Sequence, residues 1–382
     1  MKRCIESFDY RIAEQLLEDI FKRQAATPLK KLDKPIVLYG AGDLGQMAKD
    51  FFTNVGVKVE FIIDANADKC RKVKKWNGSK ILFPNEVDSF AKNRYKVVVC
   101  IVTSPYTLIL DSLLLDGWQD ISPFYDIAQI FSSDHPLNNG WYAEHKDISN
   151  SKSVLGFWSD NISRAYYLQF IAWRVLREEW LFKGINVDNN NRFFIKELIK
   201  VLSDNEYFID IGAHHGNTTK KFIKIVNNKF KKVLAIEPDL INVNRITKDK
   251  YFKRQDVKLL NIAIGDSPDY SGFFGGYGYM SKLSKHGNCN VQVKTLDSLD
   301  VKPTFIKMHI EGGEKAALEG GKNTIISNRP IVVITAYHNI DGIYKLPLWF
   351  RENLENYSLI LRNHSWNGTG TVIYAIPKER YG

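Results

Sequence analysis

Cysteine is scarce in this chain of 382 residues: Cys4, Cys70, Cys100 and Cys289 lie far apart, with no CxxC pair and no metal-ligand spacing. That excludes a disulfide-stapled scaffold or a zinc ribbon and suits a reduced, cytoplasmic setting. Long hydrophobic runs are lacking as well, since no segment approaches the roughly 20 apolar residues that a bilayer-spanning helix needs. The opening stretch MKRCIESFDYRIAEQLLEDIF mixes charges into its apolar residues and so reads as an amphipathic helix, not a signal peptide. No RRM-like, zinc-finger or helix-turn-helix signature argues for nucleic acid, and no repeat or low-complexity tract interrupts the chain. Acidic residues are outnumbered, giving a net charge of +10 gathered in KCRKVKK, KKFIKIVNNKFKK and KDKYFKR. Solvated lysine faces are the first reading of these runs. Attraction to an anion, such as a sugar nucleotide or a membrane face contacted peripherally, is the second.

What is present is enough for real cores, because 44% of the residues are hydrophobic. The length suits two ordinary domains of roughly 100–200 residues each. From Lys34 the order is strand PIVLYG, turn GAGDLG, helix QMAKDFFTNVG and strand KVEFIID. Gly40, Gly42 and Gly45 fit the G-x-G-x-x-G phosphate-binding fingerprint, and Asp64 ends the second strand where a ribose or base contact is expected. ILFPNEV, KVVVCIV and YTLILDSLLLDG continue this unit, which runs out into a polar, turn-rich stretch near Ser132 to Ser153. About 100 residues of α/β structure are too few to seat a nicotinamide and a substrate, since a full dinucleotide fold needs two mononucleotide halves. An NAD-dependent oxidoreductase is therefore a rival reading only.

Between Asn161 and Leu202 the apolar residues recur at helical spacing, in ISRAYYLQFIAWRVLREEWLF and RFFIKELIKVL, with VDNNNR breaking two helices. This reads as a helical connector. A second α/β unit then opens with EYFIDIGAHHGNTTKKFIKIV, where a strand ends at Asp210 and Gly212 and Gly216 allow a tight turn into a helix. The next strand, KVLAIEPD, ends in Glu237, whose two carboxylate oxygens can accept from both hydroxyls of a ribose. The strands in VKLLNIAIGD, FIKMHIEGGE, RPIVVITAYH, YSLILRNHS and GTVIYAIP complete a mainly parallel sheet with an antiparallel edge.

In FIKMHIEGGEKAALEGG, His309 and Glu311 stand two apart at a strand end and so point to one side. A histidine suits general-base work at neutral pH, with Glu311 orienting it or the acceptor hydroxyl. His338 in TAYH and His364 in RNHS end neighbouring strands and converge on the same edge. His-x-Glu with a further histidine also suits zinc, iron or manganese. A divalent metal is thus a second reading, with its ligands unknown. Glu314 reads as a first-turn helix residue complementing the helix dipole.

FIDIGAHHGNTT, AIEPD, NIAIGD, VKTLDSL, FIKMHIEGGEKAALEGG and YSLILRNHS followed by TVIYAIP stand in order from about Glu206 to Pro377. Together they resemble the FkbM family of S-adenosylmethionine-dependent methyltransferases. The resemblance implies a class I methyltransferase fold with S-adenosylmethionine as cofactor. It places Asp210, Gly212, His214 and Gly216 on the methionine side, Glu237 on the ribose, and Asn261 and Ala263 along the adenine edge. Two residues depart from the family pattern: His214 stands where a small or amide residue is usual, and His309 where aspartate is common. They motivate a second rival, a catalytically inactive binding or scaffold protein. The unit from about Pro35 to Trp118 is similar to the nucleotide-binding domain that precedes sugar acetyltransferases, through VLYGAGDLGQMAKDFF, EFIIDAN, ILFPNEV and VVVCIVTSPY.

The combined expectation is an α/β chain of two Rossmann-like domains. It comprises an N-terminal helix (1–32), a nucleotide-binding-like domain (33–150), a helical connector (151–205) and a methyltransferase domain (206–382). The expected activity is O-methyl transfer to a sugar or sugar nucleotide in bacterial surface polysaccharide biosynthesis. His309, Glu311 and His338 are the catalytic candidates, and Gly40, Gly42, Gly45 and Asp64 the nucleotide-binding ones.

Overall fold

The computed structural model describes residues 2–23, 32–131, 147–278 and 281–381. Most of the turn-rich stretch after Ser132 lies outside them. Its last part, expected to be polar turns, is instead the start of a helix, Ile148–Phe157, capped by Asp147. The amino terminus opens not as helix but as strand β1, Lys2–Ile5, and the amphipathic helix follows at Tyr10–Lys22, with Asp9 accepting from Ile12 N–H at its start.

Five strands form the first sheet: β2 (Ile36–Tyr39), β3 (Val59–Ile63), β4 (Ile81–Leu82), β5 (Lys96–Val99) and β6 (Ile121–Pro123). Their order is β4-β3-β2-β5-β6, and every pairing is parallel. The chain reverses direction across the sheet on either side of β2, so the turn after β2 lies at the switch point where open α/β sheets hold ligands.

The connector begins with Ile148–Phe157 and continues as Asn161–Leu176, of whose 16 residues twelve are buried. A helix apolar on all sides belongs between layers. It ends earlier than its periodicity suggests, because Arg177 takes a left-handed φ of 56°. The residues expected to prolong it, Glu179–Phe182, form strand β7, paired in parallel with β1. The pairing partner comes from the other end of the chain, which local periodicity cannot reveal.

The second sheet has seven strands: β8 (Tyr207–Ile211), β9 (Lys232–Ile236), β10 (Val257–Leu260), β14 (Phe305–Met308), β15 (Ile331–Thr335), β16 (Tyr357–Asn363) and β17 (Thr371–Pro377). Between them β11 (Ala263–Ile264), β12 (Asp269–Phe273) and β13 (Cys289–Lys294) make a separate three-stranded sheet, which the sequence reading did not separate out. The seven-stranded order is β10-β9-β8-β14-β15-β17-β16, parallel except for β17, which runs against both of its neighbours. This is the class I methyltransferase arrangement expected from the sequence. Its central strands are buried on both faces, as IVVIT in β15 shows, which is why they read as continuous apolar runs. The switch point falls between β8 and β14, held in register from Phe208 with Phe305 to Ile211 with Met308.

A few polar ties join the first unit, the connector and the second unit. Glu179 accepts from Tyr106 N–H at 2.6 Å and from the Thr107 hydroxyl at 2.6 Å, and Trp366 N–H donates to Val102 O at 2.7 Å. The buried Arg174 guanidinium donates to Tyr337 O and Gly368 O. Among the described residues no helix is long and apolar enough to cross a membrane.

Candidate active site

Two clefts open at the carboxyl ends of the strands. The first, about 640 Å³, is lined by Gly212, His214, Glu237, Ala263, His309 and Glu311, with Ile262 and Phe273 among its apolar surfaces. Of the residues expected to hold a cofactor, Gly212, His214, Glu237 and Ala263 line it. Asp210, Gly216 and Asn261 do not, and each has a physical reason. Asp210 is fully buried, with one oxygen 2.9 Å from Lys307 Nζ and the other accepting from Thr219 Oγ1 at 2.8 Å. Lys307 in turn donates to Gly212 O at 2.8 Å, so Asp210 fixes the turn from behind. Gly216 is covered by the Phe252 ring, whose edge lies 2.5 Å from where a Cβ would stand. Asn261 turns its amide to Glu237 O and Pro238 O, each at 2.9 Å.

The turn can pass close to β14 only because residue 212 is glycine. A Cβ there would lie 2.1 Å from His309 O, and φ is +77°. Glu237 is 4% exposed, and burial raises its pKa above the ordinary carboxylate value. It accepts from His214 N–H at 2.6 Å, Asp239 N–H at 3.0 Å and Asn242 Nδ2 at 3.2 Å. A carboxylate offers about four acceptor positions, so one is left for a ligand. Burial lowers the His214 imidazole to about 4, keeping it uncharged beside the cleft.

The second cleft runs between the two sheets. Its walls include Gly40, Gly42, Asp43 and Asp64 from the first unit and Tyr337, His338, Ser365 and Thr369 from the second. Gly45 is absent from the lining, because a Cβ there would lie 2.1 Å from Gly40 O, so this glycine serves close packing of helix on strand. Asp64 accepts from Ala41 N–H and Asn66 N–H, each at 2.7 Å, and thereby shapes the glycine turn. Arg192 projects from the connector into the same space, its Nη2 donating to the Tyr337 hydroxyl at 2.6 Å. His364 lines this cleft as well, but both ring nitrogens are engaged, by Asp188 O at 2.6 Å and the Tyr374 hydroxyl at 2.8 Å.

His309 and Glu311 belong to both clefts. The three catalytic candidates come together there as the sequence suggested. Glu311 Oε1 lies 2.9 Å from His309 Nε2 and 3.3 Å from His338 Nε2, and the two imidazole centres are 5.1 Å apart. Both Nε2 atoms are buried and both face the same carboxylate oxygen of Glu311. Glu311 holds a left-handed φ of 53°, a strained conformation for a residue with a side chain and one found preferentially at functional sites.

Glu314, read from sequence as a helix-dipole residue, has a further role. It is 2% exposed, and its Oε1 meets His338 Nδ1 at 2.8 Å and accepts from Thr335 Oγ1 at 2.7 Å, while Oε2 accepts from Gly312 N–H at 2.8 Å. Burial opposes charge on His338, but the carboxylates of Glu311 and Glu314 outweigh it and push the imidazole well above its usual value. Burial, then the Arg192 charge, lowers His309 to about 3. Burial and the Arg192 charge thus make His309 less basic than the ordinary imidazole assumed from the sequence.

A family model described as the methyltransferase FkbM domain matches residues 210–357. The fold is similar to that of methyltransferase FkbM from Methylobacillus flagellatus KT, with TM-score 0.64 and 19% identity, covering 96% of this chain and 98% of that one. That coverage takes in both sheets. Partial likenesses extend to an rRNA methylase from Streptococcus thermophilus (TM-score 0.31, 12% identity, 47% of this chain and 90% of that one). Another is Aeropyrum pernix fibrillarin in complex with natively bound S-adenosyl-L-methionine (TM-score 0.28, 8% identity, 46% and 69%). No curated protein matches the sequence. The segment that matches the FkbM methyltransferase domain, residues 210–357, holds the first cleft and the His309, Glu311 and His338 cluster, and the chain is a methyltransferase.

Proposed function

We propose that the chain transfers a methyl group from S-adenosylmethionine to a hydroxyl of a sugar or sugar nucleotide, and that the acceptor lies in the cleft between the sheets. The observation that carries this reading is the meeting of the two clefts at His309 and Glu311. A donor in one and an acceptor in the other would face each other across that boundary.

The first cleft fits the donor better than a dinucleotide. Its walls are mostly apolar, and Glu237 keeps one acceptor position for a ribose hydroxyl. The helix Asn217–Ile225 begins at Gly216, under the Phe252 ring and outside the lining, so its amino-terminal amides are not offered to a pyrophosphate. When bound, S-adenosylmethionine supplies an electrophilic methyl on sulfur. The chain's own task is to exclude water, align the hydroxyl and assist loss of its proton, which the cluster at the boundary is placed to do.

The second cleft mixes acceptors and donors suited to a polyhydroxyl ligand: Asp43, Asp64, Asn189, Thr103 and Ser365, with the ring of Tyr125 beside them. Arg192 is its guanidinium. The lysines that follow Asp64, such as Lys69 and Lys72, are not on this wall. The exposed Gly42 face, where a Cβ would meet nothing within 4 Å, leaves backbone open to a phosphate-bearing acceptor. Likeness of this unit to sugar acetyltransferase domains rests on its sequence motifs.

Mass spectrometry of small molecules that co-purify with the full chain tests the donor. Incubation with labelled S-adenosylmethionine and a panel of UDP- and GDP-sugars tests the acceptor. An adenosyl ligand and a methylated sugar are expected. A retained nicotinamide would favour the oxidoreductase, and adenosyl binding without turnover on any glycan would favour the inactive binding protein.

A further inference from the structure

We infer that His309, Glu311 and His338 form a binding site for one divalent transition-metal ion, seated where the two clefts meet. The inference deepens the proposed reaction by specifying how the acceptor hydroxyl is activated.

Three observations converge. First, the candidate ligand atoms of the three residues all lie within 4.8 Å of one another, and Glu311 Oε1 is 2.9 Å and 3.3 Å from the two imidazole nitrogens. Atoms bound to one ion at about 2.0–2.2 Å are spaced about this closely. Second, His338 is 8% exposed, and its buried Nε2 and that of His309 both face one carboxylate oxygen, Glu311 Oε1, at 3.3 Å and 2.9 Å. Two imidazole nitrogens and a carboxylate oxygen turned toward one another are the donor set of a transition-metal site. Third, the other nitrogen of His338 meets Glu314 Oε1 at 2.8 Å. A carboxylate behind a ligating imidazole fixes the ring and directs the free nitrogen toward a metal.

Two imidazoles and one carboxylate suit zinc, iron(II), manganese or cobalt better than magnesium or calcium, which prefer oxygen. Three protein ligands also leave coordination positions open, as catalytic metal sites do. A hydroxyl bound there loses its proton to solvent more readily, since a cation stabilises the alkoxide. Methyl transfer then forms the O–C bond as the C–S bond of the donor breaks, leaving a neutral thioether.

The test is titration of the chelator-treated full chain with Co²⁺, following its visible absorption, with Zn²⁺ competition and elemental analysis for stoichiometry. One ion per chain is expected. His309→Ala and His338→Ala should each abolish saturable binding, and Glu314→Gln should weaken it by about 10–100-fold. A cooperative thermal melt of each variant verifies that it is folded. Absence of Co²⁺ binding by the wild type, or binding unchanged in folded His309→Ala, overturns the inference. Because this readout needs no turnover, it stands apart from the methyl-transfer reading: binding without methylation sinks that reading alone, and methylation unaffected by chelator with no ion bound sinks only the metal.

Discussion

Glu314 Oε1 sits 2.8 Å from His338 Nδ1 and thereby decides which nitrogen of that ring faces the clefts. The same carboxylate accepts from Thr335 Oγ1 and Gly312 N–H, so it ties β15 to the strained turn that carries Glu311. Removing one partner of a buried ion pair typically costs about 3–5 kcal/mol. Glu314→Ala should therefore lower unfolding stability by about that much, measured by urea denaturation. A loss below about 0.5 kcal/mol, the range of ordinary surface changes, would mean the pair is not formed in solution.

Glu237 supports its own loop and, on the proposed reading, the donor ribose. Glu237→Gln keeps the shape but removes the charge that its donors share. Losing a charged hydrogen bond costs about 1.5–3 kcal/mol, so calorimetry should show S-adenosylmethionine bound about 10- to 150-fold more weakly. Burial raises the Glu237 pKa above its ordinary 4.5. The charged form, which accepts from the ribose, is lost as pH falls through this raised value, so wild-type affinity should weaken on acidification before ordinary carboxylates titrate. The Gln variant should lack that acid limb. Equal affinity in both proteins at neutral pH would remove Glu237 from the donor site.

Asp210 and Lys307 make a buried pair, 0% and 1% exposed, on adjacent strands. Lys307→Met strands an unpaired carboxylate and Asp210→Leu an unpaired ammonium, each worth about 3–5 kcal/mol. The double variant removes both charges and should be less destabilised than the two singles summed. Thermal or urea melts of the three proteins read this directly. Strict additivity would show that the residues do not act as a pair.

The strand ends were the most legible part of the sequence. Parallel strands buried on both faces write themselves as apolar runs, and the residue that closes each run, Glu237, His309 or His338, stands at the carboxyl edge by construction. Periodicity of two sufficed to put His309 beside Glu311. What the pattern could not show were pairings between distant segments. Glu179–Phe182 looked like more helix because its partner, Lys2–Ile5, is remote. Asp210 looked like a ligand contact because burial by Lys307 depends on the register of β8 with β14. Glu314 occupied a first-turn position where dipole compensation is reason enough for an acid. Only the fold reveals that His338 lies above it.

The glycine turn of the first sheet holds two glycines with different roles. Gly42 has φ of −72° and would present a Cβ to open space, so Gly42→Val adds bulk to the cleft wall without backbone strain. Gly45→Ala, by contrast, would set a Cβ 2.1 Å from Gly40 O and disturb helix packing. On the proposed reading Gly42→Val raises the acceptor KM while S-adenosylmethionine affinity and thermal stability stay at wild-type values. The other cleft is lined by neither residue, so a donor effect would be unexpected. Gly45→Ala should instead lower the melting temperature. Steady-state kinetics with the acceptor varied, alongside donor calorimetry, distinguishes the two. If Gly42→Val leaves acceptor KM unchanged, the acceptor does not approach the glycine turn, and the first sheet serves only to close the far side of the cleft.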